Sequence, residues 1–129
     1  AELDNGPVWQ AFHLRDAAAV LALDGARVCW PGFKTLGFIG PHPTGSAIDY
    51  EVRLLAPSSG MLEDPITGSL NSALACWMRD EGRLPTTVRI AQGTNIGRYG
   101  RVSIRPDTTH GRIWIGGDAQ IVIEGTVEI

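Results

Sequence analysis

The clearest helical pattern in the chain is in EDPITGSLNSALACWMRDEG, residues 63–82, and the rest of the fold is organised around it. Its apolar residues recur at the i, i+3, i+4, i+7 and i+8 spacing of one face of an α-helix. They are Leu70, Ala73, Leu74, Trp77 and Met78. Gly82 follows where a helix-terminating glycine is expected. We predict a helix over about 69–81 that lies in the core.

Short β-branched and apolar runs surround this helix and are separated by turns rich in glycine and proline. The chain has 16 Gly and 8 Pro among 129 residues, with no internal repeat or linker. The runs that predict strands are 8–14, 34–39, 49–55, 87–92, 99–105, 112–115 and 120–129. In residues 49–55 polar and apolar residues alternate strictly, which predicts one solvent-exposed face.

A second, shorter helix is expected over about 17–23. Asp16 is suited to N-cap it, and Gly25 stands where a C-terminal glycine would lie. The order of strands and helices lacks the strict alternation of a doubly wound parallel sheet. We therefore predict one α+β domain over residues 1–129. A curved, mostly antiparallel or mixed sheet wraps around the helix at 69–81.

Composition excludes several classes of protein. With 43% hydrophobic residues and a net charge of −3, the chain is a globular domain rather than a disordered one. Its longest apolar run, 17–23, is too short to cross a bilayer, and no signal sequence is recognisable, so no membrane partner is expected. Cys29 and Cys76 form no CxxC pair, which favours a reducing, cytoplasmic setting. The chain begins at Ala1, as a processed product or a fragment would.

Nucleic acid and metal ions are not expected as partners. Seven arginines and three acidic residues lie between residues 79 and 112, but Tyr99 is the one aromatic among closely spaced arginines. We interpret these arginines as solvated strand faces. His13, His42 and His110 have no ligand spacing with one another or with the cysteines, so no metal site is predicted.

The candidate chemistry lies just before the long helix. Unpaired backbone N–H groups and the positive end of the helix dipole at Gly68 and Ser69 can hold a carboxylate or an enolate oxygen. Asp64, restrained by Pro65, can place a carboxyl group beside that anion and donate a proton. The alternative is that Thr67 or Ser69 simply caps the helix and that Asp64 only forms a turn.

Residues 53–78 resemble the signature region of the PhzF-like proteins, which share the diaminopimelate epimerase-like fold. Further matches follow in the family's order: 4–9 (DNGPVW), 20–23, 37–46 (GFIGPHPTGS), 92–101 (QGTNIGRYGR), 116–118 (GGD) and 124–127 (EGTV). Members have two similar lobes, with the active site in the cleft between them. This chain resembles only the second, C-terminal lobe.

The resemblance implies cofactor-independent proton-shift chemistry on a small carboxylic acid. The family's Asp and Gly-Ser fall on Asp64, Gly68 and Ser69, where Thr67 and Arg98 would also contact an anionic substrate. The family's glutamate base and a histidine belong to the first lobe, which no part of this sequence resembles. The chain therefore holds a half-site, with Glu63 as a candidate substitute base.

The same fold supports epimerases that use two cysteines. Asp64 occupies the region of the second-lobe cysteine, so a two-thiol racemase is not expected. The glycines at 93, 97 and 100 match no nucleotide-binding loop, and no cofactor is predicted.

Two functions remain open. The chain is an isomerase lobe that works with a first-lobe chain or a dimer partner. Alternatively, it is a non-catalytic module that binds a small carboxylate or forms a homodimer. A partner is expected in both cases, because a lobe that packs against another exposes a large apolar face.

Overall fold

The computed structural model describes residues 1–28, 35–57 and 60–128. Three residues used in the sequence-based predictions, Cys29, Lys34 and Ile129, lie outside the described residues. The helices are α1 (Ala17–Leu21) and α2 (Gly68–Asp80), with short 3₁₀ turns at Gly25–Arg27 and Thr94–Ile96. The strands are β1 (Glu2–Asp4), β2 (Val8–His13), β3 (Thr35–Pro41), β4 (Tyr50–Ala56), β5 (Met61–Asp64), β6 (Val88–Gln92), β7 (Gly100–Asp107) and β8 (Arg112–Gly116).

These strands form one mixed sheet in the order β1-β2-β3-β4-β6-β7-β8, and β5 pairs with the C-terminal half of β4. The β2–β3 and β4–β6 pairs are parallel and the others antiparallel. Helix α2 packs against one face of this sheet, and Leu70, Leu74 and Met78 are fully buried there. The predicted α+β class and the central helix are confirmed.

A glycine on β3 accommodates a core side chain from the first turn of α2. A Cβ atom at Gly37 would lie 2.7 Å from Cδ1 of Leu70, in the first turn of α2. Real Cβ atoms do not approach this closely, so a larger residue at position 37 would displace the Leu70 side chain. The absence of a side chain at Gly37 therefore leaves room for the Leu70 side chain against the sheet.

Helix α1 covers the opposite face of β3 and β4. Its Val20 forms a second apolar cluster with Leu36, Phe38 and Leu55. Asp16 caps α1 as predicted, since its carboxylate accepts the N–H of Ala19 at 2.7 Å. The prediction for the C-terminal end was wrong. The helix stops at residue 21, and residue 25 begins a separate 3₁₀ turn that Asp24 caps.

The predicted solvent-exposed face of β4 was also wrong. Glu51 and Arg53, which point away from α2, have exposed fractions of 2% and 3%. Arg53 donates to the carbonyl oxygens of Val20 and Leu23, so α1 and the turn after it lie over this face. His42 contacts Glu51, with Nε2 3.1 Å from Oε2. The alternation is present, but tertiary contacts cover its polar half.

The last predicted strand, 120–129, does not form in the described residues. Residues 117–128 have no regular structure, and β8 is the last strand of the sheet. Ile121, Val122 and Ile123 are more than 80% exposed. A β-branched run becomes a strand only when a neighbouring strand pairs with it, and no described strand does so.

Candidate functional site

Strand β5 delivers Asp64 to the N-terminal end of α2. Asp64 is the last residue of β5 and pairs with Leu54 of β4, whose side chain belongs to the core around α2. Because side chains alternate along a strand, Glu63 points to the opposite face. Pro65 and Ile66 then lead into Thr67, the residue before the helix. The Asp64 carboxyl group is therefore held next to the helix start and remains partly exposed.

The hydroxyl of Thr67 does not cap the helix. Thr67 occupies the N-cap position with an extended backbone but makes no side-chain capping bond, and its hydroxyl donates to Oδ2 of Asp64 instead. Ser69 lies inside the first turn and is exposed. A Cβ atom at Gly68 would meet no atom within 4 Å. The helix start is therefore open to a ligand, and neither predicted capping alternative is found.

Two buried side-chain amides, those of Gln92 and Asn71, form hydrogen bonds with Thr67. Gln92, at the end of β6, accepts the N–H of Thr67 at 3.2 Å and donates to its hydroxyl at 3.0 Å and to the carbonyl of Asp64 at 3.2 Å. Asn71 of α2 donates to the carbonyl of Thr67 at 2.9 Å and to Oε1 of Gln92 at 2.8 Å. Both side chains are fully buried. Asp64 and Thr67 are thus joined to the core by hydrogen bonds.

The N-terminal hairpin braces the same helix turn. Asn5 donates its side-chain N–H to the carbonyl of Ser69 at 2.8 Å and accepts the indole N–H of Trp9 at 2.9 Å. These bonds link the β1–β2 turn to the first turn of α2.

Sequence reasoning did not assign a role to Gln92, Asn71 or Asn5. A polar residue that ends a buried strand, or that interrupts the apolar face of a core helix, is the signal that could have identified the first two.

The loop that carries Arg98 packs against Pro65. A Cβ atom added at Gly93 would lie 2.6 Å from the carbonyl oxygen of Pro65, and one added at Gly100 would lie 3.0 Å from that oxygen. Gly93 also has a positive φ of 84° and accepts the N–H of Arg98 at 2.9 Å. The loop backbone is therefore seated beside the Asp64–Pro65 turn. The Arg98 side chain is exposed to solvent.

Glu63 is not brought to Asp64. Its carboxylate accepts two bonds from the Arg53 guanidinium, at 3.0 Å to Oε1 and 2.7 Å to Oε2. The exposed fractions of the two side chains are 4% for Arg53 and 5% for Glu63. A carboxylate held by a buried bidentate pair is poorly placed to take a proton from a ligand on the other side of the sheet.

Other candidate groups lie apart from this site. In the part of the chain that the structure describes, no three His, Cys, Asp or Glu side chains come together as a metal site would require. Cys76 is a partly buried free thiol on α2. Among the same residues, no helix combines the length and apolarity that a bilayer crossing needs.

Comparisons with known proteins agree with this architecture. The family model for phenazine biosynthesis-like proteins matches residues 14–125. The chain is 28% identical over 137 residues to Antisense-enhancing sequence 1 of Schizosaccharomyces pombe, across 95% of this chain and 44% of that protein. It is 33% identical over 84 residues to a Deinococcus radiodurans protein named an uncharacterized isomerase, across 59% of this chain and 27% of that one.

A solved structure shares the fold. The phenazine biosynthesis protein of the PhzF family from Enterococcus faecalis superposes with a TM-score of 0.62 and 21% sequence identity, covering 95% of this chain and 45% of that one. The chain thus spans less than half the length of the proteins it matches. Given a family model that covers most of its residues and the fold just described, this chain belongs to the phenazine biosynthesis-like protein family.

Proposed function

We propose that the chain is the second lobe of a cofactor-independent isomerase that moves a proton on a small carboxylic acid. The observation that carries the proposal is the open start of α2 with the Asp64 carboxyl group beside it. Isomerase chemistry is also the activity named for the Deinococcus radiodurans relative. Asp64 is the proposed proton donor and acceptor.

The helix start supplies the proposed anion site. The N–H groups of Gly68 and Ser69 belong to the first turn, where no intrahelical acceptor exists and the helix dipole is positive. A substrate carboxylate, or the oxygen of an enolate formed during the reaction, is stabilised there. Thr67 holds Asp64, and Arg98 adds positive charge from the neighbouring loop. This arrangement binds the substrate and places a proton beside it.

The proposed reaction needs a second group. A base removes a proton from one carbon of the bound acid, and protonated Asp64 gives its proton to another carbon, so that the double bond moves and no atom is gained or lost. Because Arg53 holds Glu63 on the other face, the structure favours a base from a partner lobe over Glu63. We therefore propose a first-lobe chain or a second copy as partner.

The C-terminal segment supports this pairing. Ile121, Val122, Ile123 and Val127 are each more than 80% exposed, whereas soluble proteins rarely leave contiguous apolar surface bare. A partner lobe that pairs with this segment would cover it. The proposed setting is the cytoplasm, and the proposed ligand is a small anionic metabolite rather than nucleic acid or a membrane.

The anion site can be tested by changing one backbone group. Proline at position 69 removes an N–H in the first turn, where proline fits a helix, whereas Ser69→Ala removes only the hydroxyl. With benzoate as probe, we expect amide chemical-shift changes at 68–70 in the wild type and in Ser69→Ala, and at least a tenfold weaker affinity in Ser69→Pro. Equal affinity in both variants would remove the helix start from the proposal.

Proton transfer is tested on the assembled protein isolated from its source. Asp64→Asn keeps the shape of the side chain and its ability to accept a bond from Thr67, but it cannot carry the proton. We expect the variant to stop deuterium incorporation from D₂O into the substrate while it still binds carboxylates. Unchanged incorporation would exclude Asp64 from the chemistry.

The alternative is a non-catalytic module that binds a small carboxylate or forms a homodimer. The buried Arg53–Glu63 pair favours this alternative for the chain by itself, since Glu63 is then not available as a base beside Asp64. Native mass spectrometry of the protein from its source separates the two. A complex with a different chain, or a longer covalent form, supports the isomerase lobe. A monomer or homodimer of the 13.9 kDa chain supports the module.

A further inference from the structure

The hydrogen bonds around Asp64 run in one direction, which is set by backbone groups that cannot change role. The backbone N–H of Thr67 can only donate, and the backbone carbonyls of Asp64 and Thr67 can only accept. All three contact the buried amides of Gln92 and Asn71. The donors and acceptors of the whole network therefore follow from these three groups.

The amide of Gln92 has one allowed orientation. Its Oε1 faces two donors, the N–H of Thr67 at 3.2 Å and Nδ2 of Asn71 at 2.8 Å. Its Nε2 faces the Asp64 carbonyl at 3.2 Å. Rotating the amide by 180° would turn Nε2 toward the N–H of Thr67 and Oε1 toward the carbonyl of Asp64, and each of these mismatches costs free energy in a fully buried site. Asn71 is oriented likewise, because its Nδ2 also faces the Thr67 carbonyl.

This orientation decides where the hydroxyl proton of Thr67 points. Nε2 of Gln92 donates to Oγ1 of Thr67 at 3.0 Å, so Oγ1 is an acceptor in that bond. The hydroxyl has one proton left to donate, and its remaining partner is Oδ2 of Asp64. Oδ2 is therefore an acceptor. If Oδ2 carried the proton instead, Oγ1 of Thr67 would face two donors, the O–H of Asp64 and Nε2 of Gln92. The hydroxyl proton of Thr67 would then lose Oδ2 as its acceptor.

We propose that Gln92 is a positioning residue that acts through Thr67 to keep the exchangeable proton of Asp64 on Oδ1. The inference rests on the proposed function of Asp64 as the proton donor and extends it to a single oxygen atom. Substrate receives the proton from Oδ1, and the negative charge left on the carboxylate is stabilised at Oδ2 by the Thr67 hydroxyl. Neither Gln92 nor Thr67 exchanges a proton with the substrate.

Infrared spectroscopy of the chain at acidic pH tests this directly. The carbonyl stretch of protonated Asp64 is isolated as the difference between wild type and Asp64→Asn. With the proton on Oδ1, the carbonyl oxygen is Oδ2, and its hydrogen bond lowers the stretching frequency. We expect Thr67→Val, which is nearly isosteric, to raise the frequency, and Thr67→Ser, which restores a hydroxyl, to return it toward the wild-type value. A band that Thr67→Val leaves unmoved would overturn the inference.

The role of Gln92 has its own test. Gln92→Met keeps the volume of the side chain but cannot orient the hydroxyl, so we expect the single Asp64 band to broaden or split. An unchanged band would remove Gln92 from the inference. If this variant does not fold, neutron diffraction from the deuterated wild type gives the answer without any substitution. Deuterium on Thr67 Oγ1, directed at Asp64 Oδ2, is expected, and deuterium bound to Oδ2 would overturn the inference.

These results are independent of turnover. Loss of the expected infrared shift, with Asp64→Asn still abolishing deuterium incorporation, would refute the positioning role alone. Retained incorporation in Asp64→Asn, with the infrared shift present, would refute the proposed function and leave the hydrogen-bond direction intact.

Discussion

Replacing Arg53 with methionine is expected to destabilise the chain far more than the replacement of a surface arginine. The guanidinium makes two bonds to Glu63 and also donates to the carbonyls of Val20, at 3.1 Å, and Leu23, at 2.6 Å. Methionine keeps the apolar length of the side chain but removes all four of these hydrogen bonds. The Glu63 carboxylate, 5% exposed, would then be a buried charge without a counterion.

The magnitude follows from burial. Removing one partner of a buried ion pair costs about 3–5 kcal/mol, because the other charge stays desolvated. With a urea m-value of about 2 kcal/mol/M for a small domain, the midpoint of unfolding falls by about 2 M. Arg79→Met is the matched control, since Arg79 is 47% exposed and pairs with Asp80 at the surface. Such pairs contribute about 0–1 kcal/mol.

Urea unfolding at neutral pH is monitored by circular dichroism. The proteins compared are the wild type, Arg53→Met, Arg79→Met and the double variant that combines Arg53→Met with Glu63→Leu. The double variant should recover much of the loss, because apolar side chains of similar volume replace buried ion pairs at little cost. Equal midpoints for Arg53→Met and Arg79→Met would refute the reasoning. Glu63 would then be free of the pair and available again as a candidate base.

Two further predictions concern the site loop and α1. Gly93→Ala and Gly97→Ala both place alanine at positive φ, a strain of about 1–2 kcal/mol, but only at Gly93 would the Cβ atom meet the Pro65 carbonyl oxygen, at 2.6 Å. We expect Gly93→Ala to lose at least twice the unfolding free energy of Gly97→Ala, and equal losses would contradict the contact. The pKa of Asp16 is lowered by the hydrogen bond from Arg15 and by a backbone N–H of α1. Its folded-state pKa is thus below the unfolded value, so its stabilisation is present at neutral pH and is lost as pH falls through the folded pKa. Asp16→Ala should lower the Tm at neutral pH and have little effect in acid, and a Tm loss that persists in acid would contradict this.

Much of the candidate site could be predicted from local sequence. Asp64 and Ser69 lie within six residues of each other, so their placement at a helix start depends on the local fold of one segment. Gln92 could not be assigned in this way, because it lies 28 residues after Asp64 in sequence and meets it only when β6 docks beside β4. Likewise, Arg53 and Glu63 are ten positions apart, and nothing in the sequence between them indicates that the two charges pair beneath α1.

The α+β class, the core helix and the order of the first six of the seven predicted strands follow from the amino-acid sequence alone. These depend on hydrophobic period and turn residues, which a short window of sequence contains. Three features depend on tertiary contacts instead: the polar face of β4 is buried, residues 120–128 join no strand, and Thr67 bonds to Asp64 rather than capping α2. Burial and strand pairing depend on neighbours that are distant in sequence, so alternation or a β-branched run can predict a strand but cannot say what covers it.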